Sequence, residues 1–387
     1  MQRSIDRILT THTGSLPRPQ PVVDVLFAQD RDDTIDPVAF DRLVRRAVEQ
    51  AVERQVAAGI DLVNDGEMSK ISYATYVRHR LSGFQGDSPR PTPQDLEDYP
   101  AFRDRLVAEG ASAKYRRPVC RGPIEISNLA PIERDLARVR QALARWAGRD
   151  GFMTAVSPGT IAVFHPNEFY PTFDSYMAAL AGAMRIEYQR IVAAGLILQV
   201  DCPDLAMGRH SRFRHLTDAE FLRQAHVQIE ALNDALAGIP PDRVRLHVCW
   251  GNYEGPHIHD IPLAAILPVM LKARVGALLI EAANPRHDHE WEIWKSCRLP
   301  DDKVLVPGVI DTTTNFVEHP ELVAQRIERF AQLVGRERVI AGTDCGLGTF
   351  AGFGPVHPDI AWAKLEALVN GAARASERLW ARATAAV

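Results

Sequence analysis

Disulfide-forming capacity is nearly absent. The 387 residues hold five cysteines, scattered along the chain and odd in number. A disulfide framework is therefore excluded, and a reducing, cytoplasmic setting is the expectation. An excess of either charge is also missing. Lys+Arg number 45 against 49 Asp+Glu, a formal net charge of −4, so no basic surface invites a polyanion and nucleic acid is not expected as a partner. Long apolar runs are lacking too. The most apolar stretch, AAILPVMLKARVGALLI, is broken by Pro268, Lys272 and Arg274, so no membrane partner or span is expected. The N-terminal MQRSIDRILTTHTGSLPRP has no apolar signal-peptide core. No polar linker or low-complexity tract divides the chain. What remains is an ordinary globular composition, 46% hydrophobic and 24% charged, long enough for one large core without staples.

What is present is an alternation. Asp36 followed by Pro37 opens a helix whose apolar face runs through Phe40, Leu43, Val44, Ala47 and Ala51, with proline where its missing N–H costs nothing. Gly59 closes it and IDLVNDGE follows as a strand with an acidic tip. The tetrapeptide VAAG recurs at Val192–Gly195 and leads into LILQVDCPD. Thr217 and Glu220 form a capping-box pattern that starts a helix running to Gly238, before VRLHVCW. Strand candidates lie around THTGSL, DLVNDGE, FMTAVSPG, LILQVD, RLHVCW, ALLIEA, VLVPGVI and RVIAGTD. Eight β-runs alternating with helices predict an α/β fold, a (βα)8 TIM barrel spanning 1–387 as one catalytic domain. A doubly wound sheet is disfavoured because no G-x-G-x-x-G follows the first run. Residues 69–150 break the alternation. They carry SPRPTPQDLEDYP, an extra strand near VCRGPIEI and a helix around Leu136, Val139 and Leu143. This reads as an insertion after the second strand, over the barrel mouth, acting as lid or oligomer contact.

The active site of such a barrel lies at the C-terminal strand ends. His247 and Cys249 end one run, and residues two apart on a strand face the same side. Glu281 ends ALLIEA and Cys345 follows RVIAGTD. One imidazole, two thiolates and one carboxylate are donors that zinc accepts, and thiolates disfavour magnesium or manganese. Cys120, in the insertion, and Cys297, in the helical EIWKSC, read as structural; Cys202 stays undecided. The pairs His257/His259 and His287/His289 offer a metal-dependent hydrolase as an alternative. Both pairs follow a proline and fall past the strand ends, where loop surface is their expected home. Trp146, Trp291 and Trp294 read as packing.

These residues match a family. The chain resembles the catalytic barrel of cobalamin-independent methionine synthase nearly end to end. The matching pieces are THTGSLPRP, NDGE at Asn64–Glu67, QVDCPD around Asp201, HVC at His247–Cys249, IEAAN at Glu281 and GTDCGL at Cys345. The amino-terminal half of the long form has no counterpart, so the single-barrel, "methionine synthase II" form is implied. The resemblance implies a methionine synthase/uroporphyrinogen decarboxylase-like fold, with Zn2+ held by His247, Cys249, Glu281 and Cys345. It also implies transfer of a methyl or alkyl group from a donor such as 5-methyltetrahydrofolate to a homocysteine-like thiol, in methionine biosynthesis. Glu67 and Asp201 match acids that contact the amino group of homocysteine, and Gly14 and Ser15 match a stretch near its carboxylate. Asp201 and Glu281 are the catalytic candidates, Glu281 as the ligand expected to loosen when the substrate sulfur arrives.

Three departures concern the carbon donor. The family's DEP reads Asp201-Cys202-Pro203, its D-x-H reads Asp311-Thr312-Thr313, and AVFHPNEFY holds no tryptophan where the family's faces the pterin. Threonine does not supply a proton as histidine does. Opening of an epoxide by the same thiol chemistry, as in the related epoxyalkane:coenzyme M transferase branch, is the alternative. A corrinoid-partnered methyltransferase and a non-catalytic zinc scaffold are further readings, and association into a homo-oligomer is left open.

Overall fold

In the computed structural model, which describes residues 2–108 and 115–384, eight parallel strands form one sheet. They are β1 (Leu9–Thr10), β2 (Leu62–Val63), β5 (Asp150–Val156), β6 (Ile197–Asp201), β7 (Val244–His247), β8 (Ala277–Ile280), β9 (Val304–Ile310) and β10 (Ile340–Thr343). The strands β3 (Phe84–Gln85) and β4 (Val119–Cys120) pair antiparallel outside that sheet. The hydrogen-bonded order is β1-β10-β9-β8-β7-β6-β5-β2. Its two ends meet at β1 and β2, where Asp61 N–H donates to Thr10 O at 3.1 Å and Asp61 Oδ2 accepts from Thr10 N–H at 2.9 Å. A side chain thus stitches the seam of a nearly closed (βα)8 barrel, the predicted fold.

Local chemistry sets the helix ends. Asp36 accepts from Val38 N–H at 2.9 Å to cap the helix Pro37–Ala58, and Gly59, at φ 91°, ends it in the left-handed region that glycine enters without strain. Thr217 and Glu220 cap reciprocally: Glu220 N–H donates to Thr217 Oγ1 and Thr217 N–H to Glu220 Oε2. That helix stops at Ala235, short of Gly238.

Two apolar layers follow from strand alternation. Val244, Leu246 and Val248 point out to the helices and are fully buried there. Leu9, Leu62, Phe152, Ile197, Ala277, Leu279, Val304, Val306 and Ile340 fill the barrel interior. Above them the interior turns polar. Arg245, whose guanidinium lies 3.6 Å from the Phe152 ring centroid, donates to Thr11 Oγ1 and His12 O. Burial pushes it down to about 9. Because side chains alternate, Arg245, His247 and Cys249 share the inward face of one strand.

The first strand ends earlier than its sequence suggests: THTGSL is the loop beyond β1, not the strand. Between β2 and β5 lie the β3–β4 pair and the helices Gln94–Asp98, Pro100–Ala108 and Ala130–Leu143. The extra strand and the helix around Leu136 are therefore present, while residues 109–114 of this segment lie outside the described residues. Cys297 is half-buried, two residues past a short helical segment that ends at Lys295. Among the described residues, no helix is long and apolar enough to cross a membrane.

Candidate metal centre and cavity

Three side chains from two strand ends converge. The ligand atoms of His247, Cys249 and Cys345 lie within 4.8 Å of one another, and all three residues are buried. The two sulfurs stand 3.5 Å apart. The Cys345 sulfur, and then burial, push the Cys249 thiol well above its usual range, since two thiolates at this distance repel unless a cation stands between them. Gly251 N–H donates to Cys249 Sγ at 3.2 Å, a contact suited to a thiolate.

His247 is held by one nitrogen. Its Nδ1 lies 3.1 Å from Asp201 Oδ1. A carboxylate only accepts, so in the neutral ring Nδ1 carries the proton and Nε2 keeps a lone pair. That Nε2 is buried without a hydrogen-bond partner. An orphaned acceptor costs free energy unless something fills it, and a cation is what the neighbouring sulfurs would also accept. The donor set therefore fits a metal ion, with Asp201 as the outer carboxylate that orients the imidazole. Burial lowers His247, but the Asp201 hydrogen bond and charge override it, and the net direction is up. Gln199 Nε2 donates to the same Asp201 oxygen at 2.8 Å.

Glu281, the fourth expected ligand, stands beside this group rather than in it. Its Oε1 accepts from Trp250 N–H at 2.8 Å and its Oε2 from Asn284 Nδ2 at 2.8 Å. Burial, with the Cys249 charge next, pushes its carboxyl well up. Its loop is fastened by Asp344, which the sequence reading missed although it precedes Cys345. Asp344 accepts from the backbone N–H groups of Ala282, Ala283 and Asn284 at 2.8 to 2.9 Å.

Of the expected amino-group contacts, Asp201 is the carboxylate already bonded to His247, and Glu67 feels its charge. Glu67 adopts φ 58°, a left-handed conformation that costs a non-glycine residue energy and is held by its surroundings. Its Oε1 accepts from Thr154 Oγ1 at 2.7 Å, whereas Oε2 is buried without a hydrogen bond, 3.6 Å from Arg18 Nη2. Burial, reinforced by Asp201, raises Glu67 against the pull of Lys70 and Arg18. Gly14 packs where a Cβ would stand 2.6 Å from Thr154 Cγ2 and 3.3 Å from Glu67 Oε1, and Ser15 Oγ occupies the space that a Cβ on Gly346 would need. Ser15 lines the cavity, and Gly14 packs behind it against Thr154 and Glu67.

A cavity of about 640 Å3 joins these groups, a volume ordinary for small-molecule sites. It is lined by Ser15, Glu67, Asp201, His247, Cys249 and Cys345, and also by Tyr73, Arg90, Leu96, Tyr115, Arg117 and Phe350. Most of the latter group belongs to the segment between β2 and β5. That segment is pinned to the loop after β7, where Tyr253 OH donates to both oxygens of buried Asp95 at 2.8 Å. No motif marked Tyr73, Tyr115, Arg117 or Asp95, because loop residues carry no periodicity.

The remaining sequence candidates resolve as follows. Cys120 and Cys202 are buried, and burial raises both thiols. The His-x-His pairs do not act as pairs. His259 and His289 stay toward the surface, but His257 and His287 turn inward, contrary to the expectation of loop surface. Both contact Asp260 Oδ2 at 3.0 Å, and His210 Nε2 lies 3.5 Å from Asp260 Oδ1. Thr313 and Thr314 hydroxyls donate to Asp311, which closes that run on itself.

Comparison with known proteins places this geometry. Residues 116–359 match the family described as cobalamin-independent synthase, catalytic domain. A methionine synthase of Sulfolobus acidocaldarius is 25% identical over 350 residues, covering 90% of this chain and 88% of the relative. A 2-hydroxypropyl-CoM lyase of Xanthobacter autotrophicus is 25% identical over 401 residues, covering 94% of each. A solved B12-independent methionine synthase from Shewanella sp. W3-18-1 has the same fold, with a TM-score of 0.73 at 19% identity, over 97% of this chain and 99% of the other.

Proposed function

The chain belongs to the cobalamin-independent methionine synthase family, and from that premise we propose that it transfers a methyl or other alkyl group to the sulfur of a small thiol, with zinc held by His247, Cys249 and Cys345. The observation that carries this reading is the buried, unpartnered His247 Nε2 facing two sulfurs 3.5 Å apart. Two thiolates favour zinc over ions that prefer all-oxygen shells. When bound, zinc supplies a Lewis acid that takes up a substrate thiol as thiolate near neutral pH.

The chain's own residues supply the rest. Asp201 holds the His247 ring in one tautomer. Gly251 N–H steadies the Cys249 sulfur. Glu281, which stands beside these three, keeps carboxylate lone pairs free beyond its two donors and would be the residue to complete the metal's shell in the absence of substrate. Glu67 Oε2 and Asp201, the latter already bonded to His247, are acceptors along the same cavity, suited to the ammonium of an amino-acid thiol such as homocysteine. Gly14 and Ser15 border its carboxylate end. Tyr73, Arg90, Tyr115 and Arg117, from the segment between β2 and β5, line the cavity and would shield the thiolate from water.

The leading acceptor is homocysteine, with methionine as product. The test is methionine formation by purified, zinc-loaded protein from homocysteine and 5-methyltetrahydrofolate, followed by mass spectrometry. Growth rescue of a methionine auxotroph is the cellular counterpart. Epoxide opening by the thiol is the second reading. It is favoured by the Asp311 run, where threonines replace an acid, and by similarity to the 2-hydroxypropyl-CoM lyase. Turnover of epoxypropane with a thiol, and no methionine from the folate donor, would select it.

A further inference from the structure

Alkyl transfer from an oxygen-bearing donor leaves a heteroatom that needs a proton, and the groups lining the cavity are mostly committed elsewhere. His247 donates to Asp201, and His210 Nε2 lies 2.8 Å from Trp250 O. Glu67, Asp201 and the two cysteines serve as acceptors or metal donors. Two phenols remain. Tyr73 and Tyr115 both line the cavity. Tyr115 OH is buried without a hydrogen-bond partner. Tyr73 OH also has no partner among the described residues.

Their rings are fixed, which gives the hydroxyls a direction. Phe350 stacks on Tyr73 at 5.9 Å with planes 10° apart and meets Tyr115 at 5.1 Å. Phe164 packs edge-on against the other side of Tyr73, at 5.8 Å and 70°. Arg90 covers Tyr115 from 4.0 Å. One phenylalanine therefore packs against both phenols, and both line the cavity that His247, Cys249 and Cys345 also line. Burial, and then the charges of Cys249 and Cys345, raise the Tyr73 phenol well above 10, so it stays a donor throughout the physiological range.

We propose that Tyr73, seconded by Tyr115, is the hydrogen-bond donor to the leaving oxygen whenever the alkyl donor is an oxygen-bearing electrophile, as an epoxide is in the second reading above. This rests on the transferase reading above. The thiolate sulfur forms a bond to the donor carbon while the carbon–oxygen bond breaks and its electron pair moves to oxygen. The oxygen takes the Tyr73 proton, and the tyrosinate recovers one from water, which balances the proton lost by the thiol. A phenol that hydrogen-bonds the developing alkoxide stabilises its charge as it forms. Preorganised donors aimed at developing oxyanion charge are an effective form of catalysis.

The test uses whichever of homocysteine or 2-sulfanylethanesulfonate the zinc-loaded wild type alkylates, with epoxypropane and iodomethane as paired electrophiles; iodide leaves without a proton. In Tyr73→Phe the ratio of epoxide to iodide turnover should fall about 100-fold, the lower end of what a positioned acid contributes. Calorimetry supplies a readout apart from turnover. The wild type should bind the 2-hydroxypropyl thioether about tenfold tighter than the propyl thioether, and Tyr73→Phe should erase that preference. Tyr115→Phe should reduce both effects by less. An equal fall with both electrophiles, or a retained binding preference, overturns the inference alone. A wild type that alkylates neither thiol with either electrophile overturns the transferase reading with it.

Discussion

Two histidine-containing clusters sit at the same end of this barrel, and they differ in what their atoms have left to give. In the first, His247 spends one nitrogen on Asp201 and keeps the other free beside two sulfurs. In the second, three histidines gather on one carboxylate. His257 and His287 each bond Asp260, His287 also bonds Glu290 Oε2 at 2.8 Å, and His210 approaches from the loop after β6. By ligand count the second cluster looks the richer metal site. His257 and His287 are already engaged with carboxylates. His210, which gives Nε2 to Trp250 O and keeps a buried, unpartnered Nδ1, has no convergent ligand atoms beside it among the described residues. The cluster therefore reads as an ion-pair hub that joins the connections after β6, β7 and β8. What marks a metal centre is an unfilled buried lone pair among soft donors, not the number of histidines.

The two clusters should therefore fail in opposite ways. The largest effect is expected from Cys249→Ser or Cys345→Ser. Metal affinity should fall by more than the about 10- to 100-fold typical of an outer-shell change, and thiol transfer should vanish while circular dichroism stays native. Metal analysis beside turnover checks this; full zinc with full activity would refute the ligand assignment.

Asp260→Asn should do the reverse, with zinc retained and stability lost by about 3 kcal/mol, as expected when one partner of a buried ion pair is removed. Urea unfolding measures it. The sign with pH follows from the same contacts. Burial lowers His287, but its bonds to Asp260 and Glu290 override that and hold it at about 10, against 6.5 when free. That stabilisation is complete below about 6.5 and lost as pH rises toward 10. Burial raises Asp260, yet its histidines hold it at about 2, so its share is present above 3.8 and lost as pH falls toward 2. Thermal unfolding of wild type should therefore weaken between pH 7 and 10, and Asp260→Asn should flatten that slope. An unchanged slope would deny the hub its charge.

A smaller effect tests the link between Asp201 and the metal group. Asp201→Asn should weaken zinc by about 10- to 100-fold without removing it, measured by competition with a chelator. Smallest of all, the double change His259→Ala and His289→Ala should leave zinc content alone and shift stability by about 0.5 kcal/mol or less. A loss of zinc there would revive the hydrolase alternative.

Sequence made one side of this contrast visible and hid the other. His247 and Cys249 are two apart on a strand, and Cys345 follows another, so burial patterns and alternation together point them inward. The eight β-runs were legible for the same reason, although THTGSL proved to be the loop beyond β1. The hub was not legible. His210, His257, Asp260 and His287 sit in the three connections after β6, β7 and β8 with no shared period, and the spacing of the His-x-His pairs suggested partners that the fold separates. The unfilled Nε2 of His247 and the free hydroxyl of Tyr73 were beyond sequence altogether, because an unmet hydrogen bond exists only once the neighbours are in place. Glu281 lies between these cases: its position was predicted, but its bonds to Trp250 and Asn284 were not.

X-ray absorption at the zinc edge of the purified protein bears most directly on the metal group. The predicted spectrum has two sulfurs at about 2.3 Å and one nitrogen at about 2.0–2.1 Å, with a third sulfur entering on addition of the thiol. Protein that takes up no tightly held zinc, or a first shell without sulfur, would contradict the account.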